Sequence, residues 1–253
     1  MPLFGVVAAT QAVGMVVALV IAIARREPVP AGPDLAWSIG AGVCGVVGMT
    51  SLYRGLAVGR MGVVAPTAGV LGAVVPVLVG FAIQGLPAAI TVAGIVVALL
   101  AVVLVTRAPG HEANRRSGVE FAVLAGTAIG GFNICIGHLS GAGQFGPLVV
   151  LRLVQLVILV GLIVLWRQPW RFGRADFPKL AAIGVLDMTG NVAFITAAQV
   201  GALAVATILA SLYPVVTVLL ALTLLHERLT RSHLAGIALT VAAIAMITLG
   251  TTG

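Results

Sequence analysis

Apolar positions are not scattered along this chain; they come in long runs cut by single charges, prolines or glycine-rich turns. The runs cover residues 3–24, 35–53, 61–83, 87–106, 119–139, 146–166, 178–198, 203–225 and 233–249. A helix needs about 20 apolar residues to cross the roughly 30 Å hydrocarbon core of a bilayer, and these runs meet or approach that length. Backbone groups in lipid must find their partners within the segment, so each run is predicted as a helix. The last two runs read as a transmembrane hairpin around the polar knot at 226–232. The sizeable connections are 25–33, which carries Pro28, Pro30 and Pro33, then 107–118 and 167–179. No soluble domain fits between them. The first run has no basic residue before it and Arg25-Arg26 directly after it, which marks a retained helix rather than a cleaved leader.

Composition makes this reading stronger. Of 253 residues, 60% are hydrophobic and 8% charged, and the mean hydropathy is +1.19. A soluble domain carries about 25% charged residues, so too few charges are present here to cover a water-facing surface. The 32 glycines fit the same class, because small residues let helices approach where lipid supplies little drive for association. Gly126 and Gly130 form one such GxxxG pair. The formal charge of +7 comes from arginines placed singly or in pairs between apolar runs, with no basic face, so no nucleic-acid partner is expected. Cys44 and Cys135 both lie inside apolar runs without ligand spacing, which predicts packed thiols, no disulfide and no metal.

Laid on itself with a shift of 142 residues, the sequence repeats. Asp34 meets Asp176, Gly48 meets Gly190, Val58-Gly59 meets Val200-Gly201, and Ala93-Gly94-Ile95 meets Ala235-Gly236-Ile237. The run boundaries coincide as well: runs one to four fall on runs six to nine. Equivalent runs are thus an odd number of crossings apart, which inverts the second copy relative to the first. Inverted repeats are the mark of alternating-access transporters. The repeats are expected at 1–107 and 118–250. The run at 119–139 opens the second copy and has no partner in the first, so either one helix is dispensed with or the chain starts downstream of the true start.

The stretch SLYPVVTVLL at 211–220, followed by HERL at 226–229 and LAGIAL at 234–239, resembles the end of an EamA repeat of the drug/metabolite transporter superfamily. The first copy carries a weaker version in VAPT at 64–67 and GAVVPV at 72–77, and LDMTGN at 186–191 is similar to a segment of some members. The resemblance covers nearly the whole chain. It implies ten helices in two inverted five-helix bundles, a central substrate cavity and transport of small metabolites or drugs. Two departures stand out: the first helix is missing, and Gly85-Leu86 replace the Glu-Arg pair that the second copy has at Glu227-Arg228. The expected fold is therefore an all-α membrane protein with nine visible transmembrane helices in two inverted repeats, four helices and then five.

Charges inside apolar runs are costly enough to need a reason. Arg152 lies in the sixth run with Gln155 one turn on; Asp187 lies mid-run in the seventh with Asn191 at i+4 on the same face. Either Arg152 and Asp187 satisfy one another across adjacent helices, or each meets a charged substrate or a proton. Their equivalents in the first copy are Thr10 and Gly45, so the polar investment is concentrated in the second half. Asn191 and Asn133 read first as interhelical hydrogen-bonding groups, and His138 as an interfacial residue. Gln11 either lines the cavity or bonds a neighbouring backbone. Tyr213 faces the cavity or a partner helix. Pro76 and Pro214 each remove a backbone bond and are candidate hinges. Glu227 reads as a local ion pair or cap.

No hydrolase, kinase or nucleotide motif is present, and no cofactor is expected. The partners expected are a small-molecule substrate and the lipid bilayer, with a homodimer as the possible assembly. A secondary transporter of the bacterial inner membrane, working as an exporter, is the leading expectation. Its alternatives are a lipid or lipid-sugar flippase and a non-transporting membrane subunit. The positive-inside rule places Met1 in the cytoplasm and Gly253 outside, whereas the resemblance implies a cytoplasmic carboxy terminus; orientation stays open.

Overall fold

In the computed structural model the described residues are 3–59, 61–106, 118–139, 143–167, 173, 176–201, 203–210 and 231–251. Among them the chain forms nine helices and no strand. These are α1 (Leu3–Ala24), α2 (Gly32–Val58), α3 (Met61–Gln84), α4 (Ala89–Thr106), α5 (Val119–Gly137), α6 (Phe145–Leu165), α7 (Phe177–Val200), α8 (Leu203–Ala210) and α9 (Arg231–Thr251). Helices α1, α2, α5, α6 and α7 are long and apolar enough to cross a membrane, while the apolar stretches of α3, α4 and α9 are shorter. Among the described residues the hydropathy boundaries predict the helix ends closely except in α2, which extends the run at 35–53 to 32–58; the end of the run at 203–225 lies outside the described residues. The extra turns are amphipathic, with Asp34 at one end and Arg54 near the other. Such turns belong to the interface, where hydropathy alone has no edge to detect.

Where a helix stops, the chain chemistry explains it. Gly85 follows α3 with φ +83°, and its N–H donates to the Phe81 carbonyl at 3.0 Å. This is a left-handed C-terminal cap that glycine takes without steric cost. The departure of Gly85 from the expected glutamate thus has a structural reason. Arg26 (φ +53°) and Arg167 (φ +49°) play the same part after α1 and α6.

By contacts the chain divides into two compact units, and each takes helices from both halves of the sequence. One unit comprises Met1–Val46 and Ile134–Val200, the other Val47–Asn133 and Gly201–Gly253. In the first unit α1 packs on α6 and α7. Its run is antiparallel to α6: Phe4, at the start of α1, meets Trp166, just past the end of α6, edge to face at 6.2 Å. At the other end Arg25 lies over the Phe145 ring at 5.7 Å. The buried stripe of α1 is Val7, Gln11, Gly14, Ala18 and Ala22, a helical spacing of three and four residues.

In the second unit α4 packs on α9 and α3 on α8. Ala73, Val77, Ile95, Ala98, Val102, Ile208 and Ala243 form its core, with Phe81, Val97, Leu99 and Val205 against it. Gly250, at the end of α9, lies directly on Thr91 and Ile90 at the start of α4, so this pair is antiparallel too. The starts of α1, α3 and α4 precede those of α6, α8 and α9 by 142 residues each.

The GxxxG pair of α5 finds its partner on α3. A Cβ at Gly126 would stand 2.5 Å from Leu71 Cβ and 2.8 Å from the Ala68 carbonyl oxygen, and one at Gly130 would stand 2.8 Å from Val75 Cβ. Only a hydrogen fits, and the two backbones touch. Gly126→Leu is therefore expected to cost at least the 1–3 kcal/mol typical of overpacking, roughly. Gly85→Ala is expected to cost about 1 kcal/mol through its left-handed backbone. Thermal melting of the purified protein in detergent checks both, with Gly126→Leu melting several degrees lower and Gly85→Ala less so.

Candidate functional site

Arg152 is the largest side chain buried to this degree, with 2% of its surface exposed. It sits on the inward stripe of α6 with Leu148, Leu151, Gln155 and Leu159. An isolated ion in such a place carries a desolvation cost of several kcal/mol, and the neighbours show how it is offset. Its Nη2 donates to Asp187 Oδ2 of α7 at 2.5 Å, and its Nη1 donates to Gln155 Oε1 at 3.5 Å. Among the described residues its Nε has no hydrogen-bond partner. Gly14 of α1 lies beside it, since a Cβ there would come within 3.4 Å of that nitrogen. The guanidinium edge therefore rests on bare backbone.

The two partners of this ion pair live in different surroundings. The Asp187 side chain is 52% exposed, on the rim rather than in the interior. The pair is thus neither a surface bridge worth about 0–1 kcal/mol nor a fully buried one, whose rupture costs about 3–5 kcal/mol. The guanidinium is permanently charged, so its burial depends on the carboxylate beside it.

Gln155 and Gln11 are both buried, and Gln11 Oε1 has no hydrogen-bond partner among the described residues. Gln11 sits one turn before Gly14 on the same face of α1. Arg152, Gln155 and Asp187 thus meet between α6 and α7 against Gly14 of α1, and Gln11 lies one turn from that glycine. Gly184 holds that junction tight: a Cβ there would stand 2.7 Å from the Thr10 carbonyl oxygen. Among the described residues Asn191 Nδ2 donates to the Asp187 backbone carbonyl at 3.0 Å, a bond within α7. Thr10, the first-copy counterpart of Arg152, likewise donates to its own helix at Val7. Pro76 is buried in α3 against Gly130. Tyr213, Pro214 and Glu227 lie outside the described residues.

Three contacts were beyond sequence reasoning. Glu27, in the proline-rich connection after α1, accepts from the backbone N–H of Phe145 at 2.8 Å and of Gly146 at 3.0 Å. It thereby caps α6, where the N-cap residue Gln144 makes no side-chain cap of its own. Gln144 instead donates to Thr196 and Gln199 of α7. His138 stacks on Trp37 with centroids 4.9 Å apart, and its Nδ1 lies 2.8 Å from the Ile134 carbonyl oxygen. A lone glutamate among prolines was the only trace of the first contact in the sequence. The partners are too far apart along the chain for spacing to reveal the rest.

Apolar helices of spanning length and a guanidinium sequestered among them define a polytopic membrane protein. The EamA-like transporter family matches residues 116–249. The chain belongs to this family, and so to the membrane transporters of the drug/metabolite transporter superfamily. No curated protein matches it. A crystal structure is similar at a TM-score of 0.77 with 17% identity, over 98% of this chain and 88% of that one, a likeness of fold.

Removing the Glu27 cap tests how far α6 depends on it. Glu27→Ala is expected to lower stability by about 0.5–2 kcal/mol, the usual cost of a lost helix cap, and Glu27→Gln by less. The check is chemical or thermal unfolding of the detergent-solubilised variants.

Proposed function

We propose that the protein is a secondary transporter of the bacterial inner membrane that exports a small organic solute by alternating access, with the Arg152–Asp187 pair as its coupling centre. Nine crossings arranged as two inverted repeats, 1–107 and 118–250, form the machinery. The observation that carries this reading is the antiparallel pairing of helices one repeat length apart. Helix α1 runs against α6 and α4 against α9, with one such pair in each compact unit. Two copies of one sequence built in opposite directions have similar energies when they exchange conformations, which is the physical requirement for a cycle that opens to either side.

The pair supplies the coupling. Asp187 holds Arg152 on one side and is half exposed on the other. A proton or a cationic group arriving at the carboxylate weakens its hold, and the released guanidinium then meets an anionic group or Gln155. Each such exchange changes what joins α6 to α7. Gln11, with its unpartnered oxygen, lends a neutral acceptor to the same place.

Transport by the protein in proteoliposomes, measured against a panel of amino acids, nucleosides and cationic drugs, tests the proposal. Asp187→Asn retains an acceptor for Arg152 but cannot carry the charge. It is expected to express and melt like the parent while transport falls tenfold or more, about 1.4 kcal/mol or more on the barrier. Loss of expression instead would assign the pair to structure alone, and failure of the parent to move every solute would remove the transport reading.

A further inference from the structure

The two cysteines, 91 positions apart in the sequence, meet in the structure. Cys44 lies in α2 and Cys135 near the end of α5, both within the first unit and both free, and Cys135 packs on the α2 surface one turn from Cys44. The helices are antiparallel along this contact: Trp37 stacks on His138 one step away, and Gly48 meets Ile129 further on. Gly40 admits the sulfur to the α2 surface, since a Cβ there would come within 3.2 Å of Cys135 Sγ. Cys44 is partly exposed and Cys135 is buried.

Their place in the fold is what gives the contact a consequence. Both thiols lie in the unit that also holds Arg152 and Asp187, so a bond between them would fix α2 to α5 within that unit.

We propose that Cys44 and Cys135 form an oxidisable dithiol whose disulfide locks α2 to α5 within the unit that holds the Arg152–Asp187 pair, so that oxidation arrests transport. The oxidant is an organic or lipid hydroperoxide, ROOH. The Cys44 sulfur attacks the terminal peroxide oxygen; the O–O bond breaks, ROH departs with the thiol proton, and Cys44 becomes a sulfenic acid. The Cys135 sulfur then attacks the Cys44 sulfur, the S–O bond breaks, and water leaves with the second thiol proton. Two thiols are oxidised to one disulfide and one hydroperoxide is reduced to ROH and water. Partial exposure makes Cys44 the sulfur that meets the oxidant, and burial keeps Cys135 in reserve to resolve it.

The arrest of transport rests on the alternating-access reading above; the cross-link itself does not. The test treats the full chain in proteoliposomes with cumene hydroperoxide, then denatures it and alkylates with N-ethylmaleimide. Intact mass is expected to be lighter by two hydrogens with neither cysteine alkylated, and dithiothreitol restores both sites. The oxidised protein is expected to melt at a higher temperature and to transport at least tenfold more slowly, reversibly, whereas Cys135→Ala transports normally and is indifferent to the oxidant. Two alkylated cysteines after oxidation would overturn the proposal, as would a disulfide that leaves melting and transport unchanged. A disulfide that raises the melting temperature in a protein that moves no solute would uphold the lock and overturn only the transport reading.

Discussion

A leucine gains almost nothing by leaving lipid for the inside of a helix bundle, because both surroundings are hydrocarbon. What holds these helices together has to be contact dense enough to beat lipid, and it is found where the side chain disappears. Gly126 and Gly130 lay the backbone of α5 on α3, Gly184 lays α7 on α1, and Gly250 lays α9 on α4. Large apolar side chains such as Ile23 and Leu165 meanwhile point outward, two-thirds or more exposed. The usual arrangement of a soluble protein is turned over, with small residues at the contacts and bulky ones at the surface.

That constraint also explains why a buried arginine is tolerable. A guanidinium needs room as well as partners, and Gly14 supplies the room while Asp187 and Gln155 supply the partners. The corresponding positions of the first half, Thr10 and Gly45, carry no charge. The charged pair therefore belongs to helices of the second half of the sequence alone.

The sequence by itself determined the helices and much of the charged site. Among the described residues most helix ends follow from local facts: the length of an apolar run, a glycine such as Gly85 that takes a left-handed turn, and a backbone that must satisfy its own hydrogen bonds in lipid. The Arg152–Asp187 pair was legible for a similar reason, since two opposite charges in adjacent apolar segments have few other ways to be neutralised. Tertiary structure alone decided which faces meet. It brought Glu27 to the start of α6 from 118 residues away, set Cys44 beside Cys135, stacked Trp37 on His138, and kept Asn191 on its own helix. It also drew each compact unit from both halves of the chain. Hydropathy specifies how long a helix is and that it lies in lipid, but its stripe is nearly uniform around the helix here. The choice of contact then falls to close fit between particular small residues, which exists only once distant helices are side by side.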